Sequence, residues 1–205
     1  MVNQVDARLH TFHSKKYRGV VKEAITFLER TPLHELPPST EFNGNGVYAM
    51  YYSGDFKHYR PLVDMIQEGK RWPIYVGKAV PTGWRTARAA ATENPVLFRR
   101  LREHARSIEQ VSDLELVDFK CRFMILNDLE GDLVVPVEAE LIRFYRPLWN
   151  SVLDGFGNHD PGSGRYDQAK SEWDVLHEGR PWAQRLKGQS PERSGVIAKI
   201  KQFFR

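Results

Sequence analysis

The chain has 205 residues, 41% of them hydrophobic, and a net charge of +4, which suits one substantial core and raises the odds of a polyanionic partner only slightly. Its single cysteine, Cys121, excludes an intramolecular disulfide framework and a multi-cysteine zinc site. No apolar run approaches the roughly 18 residues of a membrane span, and MVNQVDARLHTFHSKK lacks the apolar segment of a signal peptide, so a cytoplasmic protein with no membrane partner is expected.

Taken in chain order, Val20, Val21, Ala24, Phe27 and Leu28 recur at helical spacing and predict a helix over residues 16–30. Leu36 to Thr40, LPPST, then stops that helix and leads into a strand over 46–53, where GNGVYAMYYSG places Tyr48 close to Gly46. A variable connection leads to a second strand over 73–79. There PIYVGKAVPTGW sets Tyr75 two residues before Gly77, with Lys78 next. A loop, a helix over 95–108, a strand over 117–126 and a helix over 135–146 complete a small antiparallel sheet with flanking helices, an α+β pattern. After Asn150 the Gly-rich DGFGNHDPGSGR is too irregular for a regular element. A helix around 169–177, a polar linker over 188–194 and a short basic tail follow, with no internal repeat or low-complexity segment.

Charge is concentrated between Lys78 and Arg106. Lys78, Arg85, Arg88, Arg99, Arg100, Arg102 and Arg106 face only Glu93 and Glu103 there, and arginine suits bidentate contacts to phosphate or guanine edges. A solvated basic helix face is the plainer alternative. On the 95–108 helix, Leu97, Leu101, Ala105 and Ile108 form the apolar arc. Arg100 and His104 share its edge at i, i+4 spacing, and Arg99, Arg102 and Arg106 point further into solvent. On the 135–146 helix, Val137, Leu141, Ile142, Phe144 and Tyr145 form the arc and Glu138 falls within it, whereas Glu140 and Arg143 fall opposite as a solvated pair. A carboxylate in an apolar stripe needs a cation, a hydrogen-bond network or a metal; the wheel leaves ion pairing and metal ligation open.

Gly46-Val47-Tyr48, Tyr75-Val76-Gly77, Arg100-x-x-x-His104, Glu138 and Pro147-Leu-Trp-Asn150 resemble, in order and spacing, the GIY-YIG nuclease superfamily, with valine replacing isoleucine in both signature triplets. This core covers residues 44–151, with an N-terminal helical extension over 1–40 and a C-terminal recognition segment over 152–205, all in one domain. Beyond it, IYVGKAVPTGWR, FKCRF, PLWNSVLDGFGNHDPGSGR and AKSEWDV resemble the type II restriction endonucleases of this superfamily that cut CCGCGG.

The resemblance implies magnesium-dependent hydrolysis of double-stranded DNA. Glu138 would hold one metal ion, Tyr48 would serve as general base aided by Lys78 and His104, and Arg100 would clamp phosphate oxygens. Tyr75 and Asn150 would orient water, phosphate or the Glu138 carboxylate. Arg85, Arg88, Asn158, His159, Arg165 and Gln168 have side chains able to read base edges or contact phosphates. Cutting both strands of a palindrome implies a homodimer, joined through N-terminal residues or the Gly-rich segment, and a cognate methyltransferase that is not a stable partner. The competing readings are a structure-specific repair or recombination nuclease of the same superfamily and a non-catalytic DNA-binding module.

Overall fold

A computed structural model of the protein describes residues 6–14, 16–67, 71–81, 83 and 94–205. Its middle layer is a four-stranded antiparallel sheet in the order β1-β4-β2-β3, built from β1 (His34–Glu35), β2 (Gly46–Tyr52), β3 (Tyr75–Ala79) and β4 (Phe119–Ile125). Every residue of β2 is buried, because the strand lies inside the sheet and both of its faces are covered. Alternation then divides it between two cores. Tyr48, Met50 and Tyr52 join the first, with Phe119 and Cys121 of β4; Val47, Ala49 and Tyr51 join the second, with Val76 and Met124.

The second core is closed by α1 (Tyr17–Arg30), through Leu28, and by α4 (Val134–Tyr145), through Val137, Leu141 and Tyr145. Two apolar positions assigned from the sequence to the buried face of α1 lie outside it: Val20 is 40% exposed and Phe27 is 57% exposed. Phe144 of α4 is likewise 58% exposed, its ring stacked on Trp72 at the margin of the layer. The buried stripe of α4 runs through Val134, Val137, Leu141 and Tyr145, one step every three or four residues, and Phe144 falls beside it.

The first core is covered by α3 (Val96–Glu109), through Leu97, Leu101, Ala105 and Ile108, and by the four-residue α5 (Leu148–Ser151), through Leu148 and Trp149. Two further helices complete that layer: α6 (Glu172–Leu176), through Trp173 and Leu176, and α7 (Arg193–Phe203), through Val196 and Ile200. Thus the expected tail is helix α7, which also takes in the last two residues of the expected linker, docked by an Arg193 bond to the Leu176 carbonyl (3.2 Å) and a Lys199–Glu172 ion pair. Only two residues of α7 are buried, four apart, so its apolar stripe is too thin to stand out from the polar sequence around it. The variable connection holds α2 (Arg60–Gln67), also unforeseen.

The element bounds otherwise lie within a few residues of the sequence expectations. No helix among the described residues is long and apolar enough to cross a membrane.

Candidate active site

The site begins with the register of β2 against β3. Tyr48 pairs with Gly77 and Met50 with Tyr75, so the two tyrosines are diagonal neighbours on one face, their ring centroids 6.2 Å apart. The glycines have steric roles. A Cβ on Gly46 would stand 2.0 Å from the Met124 carbonyl oxygen of β4, and one on Gly77 would stand 2.3 Å from the Tyr48 hydroxyl oxygen. Gly77 therefore leaves the space over which the Tyr48 ring leans.

Tyr48 cannot swing aside cheaply, since it is fully buried and its hydroxyl lies 2.5 Å from His104 Nε2. Gly77→Ala is accordingly expected to destabilise the protein by about 1–3 kcal/mol, as overpacking does. Urea unfolding of the variant beside the wild type measures it.

His104 departs from the sequence expectation. It is only 2% exposed and lies behind Tyr48, stacked on Phe156 at 4.6 Å and edge-on to Tyr75 at 5.3 Å. Position 104 belongs to the buried arc of α3 with Leu101, Ala105 and Ile108, so its ring meets a tyrosine hydroxyl inside the core instead of solvent at the rim. Burial, then the nearby Arg100 charge, pushes the imidazole well below its ordinary 6.5 and keeps it neutral. Burial first, then Tyr75, raises the Tyr48 phenol well above 10.0, with Arg100 opposing. Tyr75 is raised for the same first reason, again opposed by Arg100.

Around these rings lies a cleft of about 920 Å³ lined by Tyr48, Tyr75, Lys78, Arg99, Arg100, Glu103 and Glu138. Glu138 comes from α4, on the other side of the sheet, and reaches the cleft past the free edge of β3. There it pairs with Lys78, the two side chains being 15% and 31% exposed. Glu140, in contrast, pairs with Arg143 on the outer face. Arg100 donates to Glu103 Oε2 (2.9 Å) and to the Gly157 carbonyl (2.9 Å), and it contacts His159 Nε2.

Asn150 works on the strand itself. Its Oδ1 accepts from the Val76 N–H (2.8 Å) and its Nδ2 donates to the Val76 carbonyl (2.8 Å), so the amide replaces a missing neighbour strand along β3. It acts on the site through β3, with both ends of the amide engaged by backbone.

Several supporting residues carry no sequence signal of their own. Trp149, beside Asn150, donates to the Tyr59 hydroxyl (2.9 Å), which lies 2.5 Å from His177 Nε2; His177 Nδ1 lies 2.9 Å from Asp113. Because Tyr59 accepts from the indole, its own hydrogen goes to Nε2, and the His177 proton faces Asp113. Burial lowers the His177 pKa, outweighing Asp113.

Two buried neutral histidines make stability fall with acid. Unfolded imidazoles take up protons near pH 6.5, whereas these folded ones resist, so protonation favours the unfolded chain. Their contribution is fully present above that pH and is lost as pH falls towards the lower folded values. The urea midpoint is expected to be level at about pH 7–8 and to decline below about 6.5.

Of the sequence-predicted base readers, Arg85 and Arg88 lie outside the described residues. Asn158, His159, Arg165 and Gln168 are exposed and together line a second depression of about 270 Å³. Its backbone is set by Arg180, only 1% exposed and absent from the sequence reading. Arg180 is held by Asp174 (2.6 Å), donates to the carbonyls of Gly155 (2.9 Å), Phe156 (3.1 Å) and Asn158 (3.2 Å), and lies 4.6 Å from both the Trp173 and Trp182 rings. The one sequence hint is a lone arginine set among tryptophans.

A family model described as the Eco29kI GIY-YIG domain matches residues 40–204. No curated protein matches the chain. The match spans β2, β3 and β4, the cleft and the segment carrying Asn158 to Arg180, and so includes the paired strands that bring Tyr48 beside Tyr75. The chain thus belongs to the Eco29kI GIY-YIG domain family, a family of restriction endonuclease domains acting on DNA.

Proposed function

We propose that the protein is a type II restriction endonuclease, a magnesium-dependent hydrolase that cuts both strands of DNA at a short GC-rich palindrome, CCGCGG. The observation that carries this reading is the cleft at the edge of β3, in which two tyrosines, three cations and the Glu138 carboxylate converge.

The residues fit one hydrated divalent ion. Among the described residues no group of three His, Cys, Asp or Glu is gathered for a metal; of the two carboxylates lining the cleft, Glu103 is held by Arg100 of its own helix and is the more exposed, whereas Glu138 comes in from α4, is 15% exposed and pairs with Lys78. A single carboxylate suits magnesium, which keeps most of its waters. Held by Glu138, the ion would supply charge stabilisation at the scissile phosphate and the leaving oxygen. Lys78 would then shift its ammonium from the carboxylate towards phosphate.

Arg100 and the exposed Arg99 supply donors for the non-bridging oxygens. Tyr48 takes a proton from the attacking water while handing its own to His104 Nε2. The 2.5 Å contact carries the relay: the neutral imidazole offers a lone pair at Nε2, while burial and Arg100 disfavour the imidazolium, so the ring holds the proton only briefly and returns it. Tyr75 packs against Tyr48 and His104 and limits how far either ring can turn.

Each chain presents one such cleft among its described residues, so cutting a palindrome in one encounter calls for a homodimer on DNA. Sedimentation with a palindromic duplex is expected to give two chains per duplex; a 1:1 complex that cuts both strands in one encounter overturns the dimer. A cognate methyltransferase would protect host DNA without remaining bound. Digestion of a sequenced plasmid with magnesium, followed by end mapping, tests the whole reading. Discrete fragments ending at CCGCGG are expected. A smear or cuts at junctions would instead indicate a structure-specific nuclease, and binding without cutting a non-catalytic module.

A further inference from the structure

Arg100 stands between the cleft and the second depression, and its guanidinium is shared among Glu103, the Gly157 carbonyl and His159. Arginine has no acceptor, so His159 Nε2 must accept from it, and the neutral ring carries its proton on Nδ1. The same ring is 63% exposed and borders two depressions. One is shared with Arg100 and Glu103; the other is shared with Asn158, Arg165 and Gln168. The backbone beneath is held by the Arg180 bonds to the carbonyls of Gly155, Phe156 and Asn158, leaving the His159 side chain as the part that adapts.

We propose that His159 couples sequence reading to phosphate clamping, fixing Arg100 through Nε2 while its Nδ1–H donates to an acceptor on a base edge, a guanine O6 or N7. This rests on the nuclease reading above. With an acceptor in place, the ring is anchored at both nitrogens and Arg100 is steadied at the cleft. With a base that offers no acceptor there, the ring loses one anchor and the guanidinium loses a fixed contact. His159 is therefore a specificity-determining residue toward the base and a positioning residue toward Arg100. Burial and the Arg100 charge both lower its pKa, consistent with a neutral ring.

Two conservative substitutions separate the halves of this role. In His159→Gln the amide oxygen can still accept from Arg100, but no donor remains at the Nδ1 position. In His159→Asn an amide nitrogen near the Nδ1 position can still donate, but the side chain is too short for Arg100. Steady-state cleavage of a duplex bearing the mapped site, and of duplexes altered at one base pair, gives kcat, KM and discrimination for each variant. For His159→Gln, discrimination at one base pair is expected to fall about tenfold, more than kcat; for His159→Asn, kcat is expected to fall about tenfold, more than discrimination.

Wild-type values in both variants, or a parallel fall in both, overturns the proposal; the exposed position keeps either variant foldable, as melting temperatures will verify. A wild-type protein that cuts no duplex overturns the nuclease reading itself, and this inference with it.

Discussion

Glu138→Ala is expected to lower magnesium-dependent cleavage by a factor on the order of 10³ or more while DNA binding persists, because several kcal/mol of charge stabilisation would lose its anchor. The basic surface holding phosphates is untouched, so binding by the variant should still weaken steeply as salt rises. Glu140→Ala is the internal control: Glu140 sits two residues away on the same helix but pairs with Arg143 outside the cleft. The Glu138 variant also leaves Lys78 without its partner. That pair is neither fully buried nor fully exposed, so a stability loss of about 1–3 kcal/mol is expected, between surface and buried ion pairs. Melting temperature measured alongside rate separates this loss from the catalytic one. A Glu138→Ala protein that cuts at the wild-type rate with magnesium, or a folded Glu140→Ala protein that is dead, would remove Glu138 from the metal role.

Tyr48→Phe is expected to slow cleavage by about 10²–10⁴, the range for a positioned proton-transfer group, with DNA affinity nearly unchanged. The sequence alone suggests an intact fold, since phenylalanine preserves the ring. The structure adds a cost. Removing the hydroxyl strips the buried His104 Nε2 of its partner at 2.5 Å, which should destabilise the variant by about 1–3 kcal/mol. Activity must therefore be compared well below the melting temperature of both proteins. Wild-type turnover by the phenylalanine variant would show that another group activates the water and would overturn the relay, because His104 meets the site through the Tyr48 hydroxyl. A relay also predicts that His104→Ala loses activity with Tyr48 intact, because the phenol, raised well above 10.0 by burial, would have nowhere to send its proton.

Local pattern was enough to read the α+β class, strands β2 and β3, helices α3 and α4, and the placement of Glu138 inward with Glu140 outward. Each depends on short-range periodicity and on which residues flank a glycine. The same periodicity missed β1, whose two residues have no period to detect, and α7, whose stripe is two residues wide. It also put His104 at a rim and Phe144 in a core, because a helical wheel gives direction and not the depth of whatever packs opposite. Tertiary structure alone decided the partnerships. Tyr48 meets His104 across 56 residues, Val76 meets Asn150 across 74, and Arg180 gathers the carbonyls of a loop more than twenty residues before it. A hydrogen bond between distant residues leaves no periodic trace in either segment, since its geometry is set by how the layers close around a shared core. That is why the residue types of the candidate site could be picked out in the chain, while the Tyr48–His104 contact, the strand-edge amide and the arginine-held loop became visible only once it was folded.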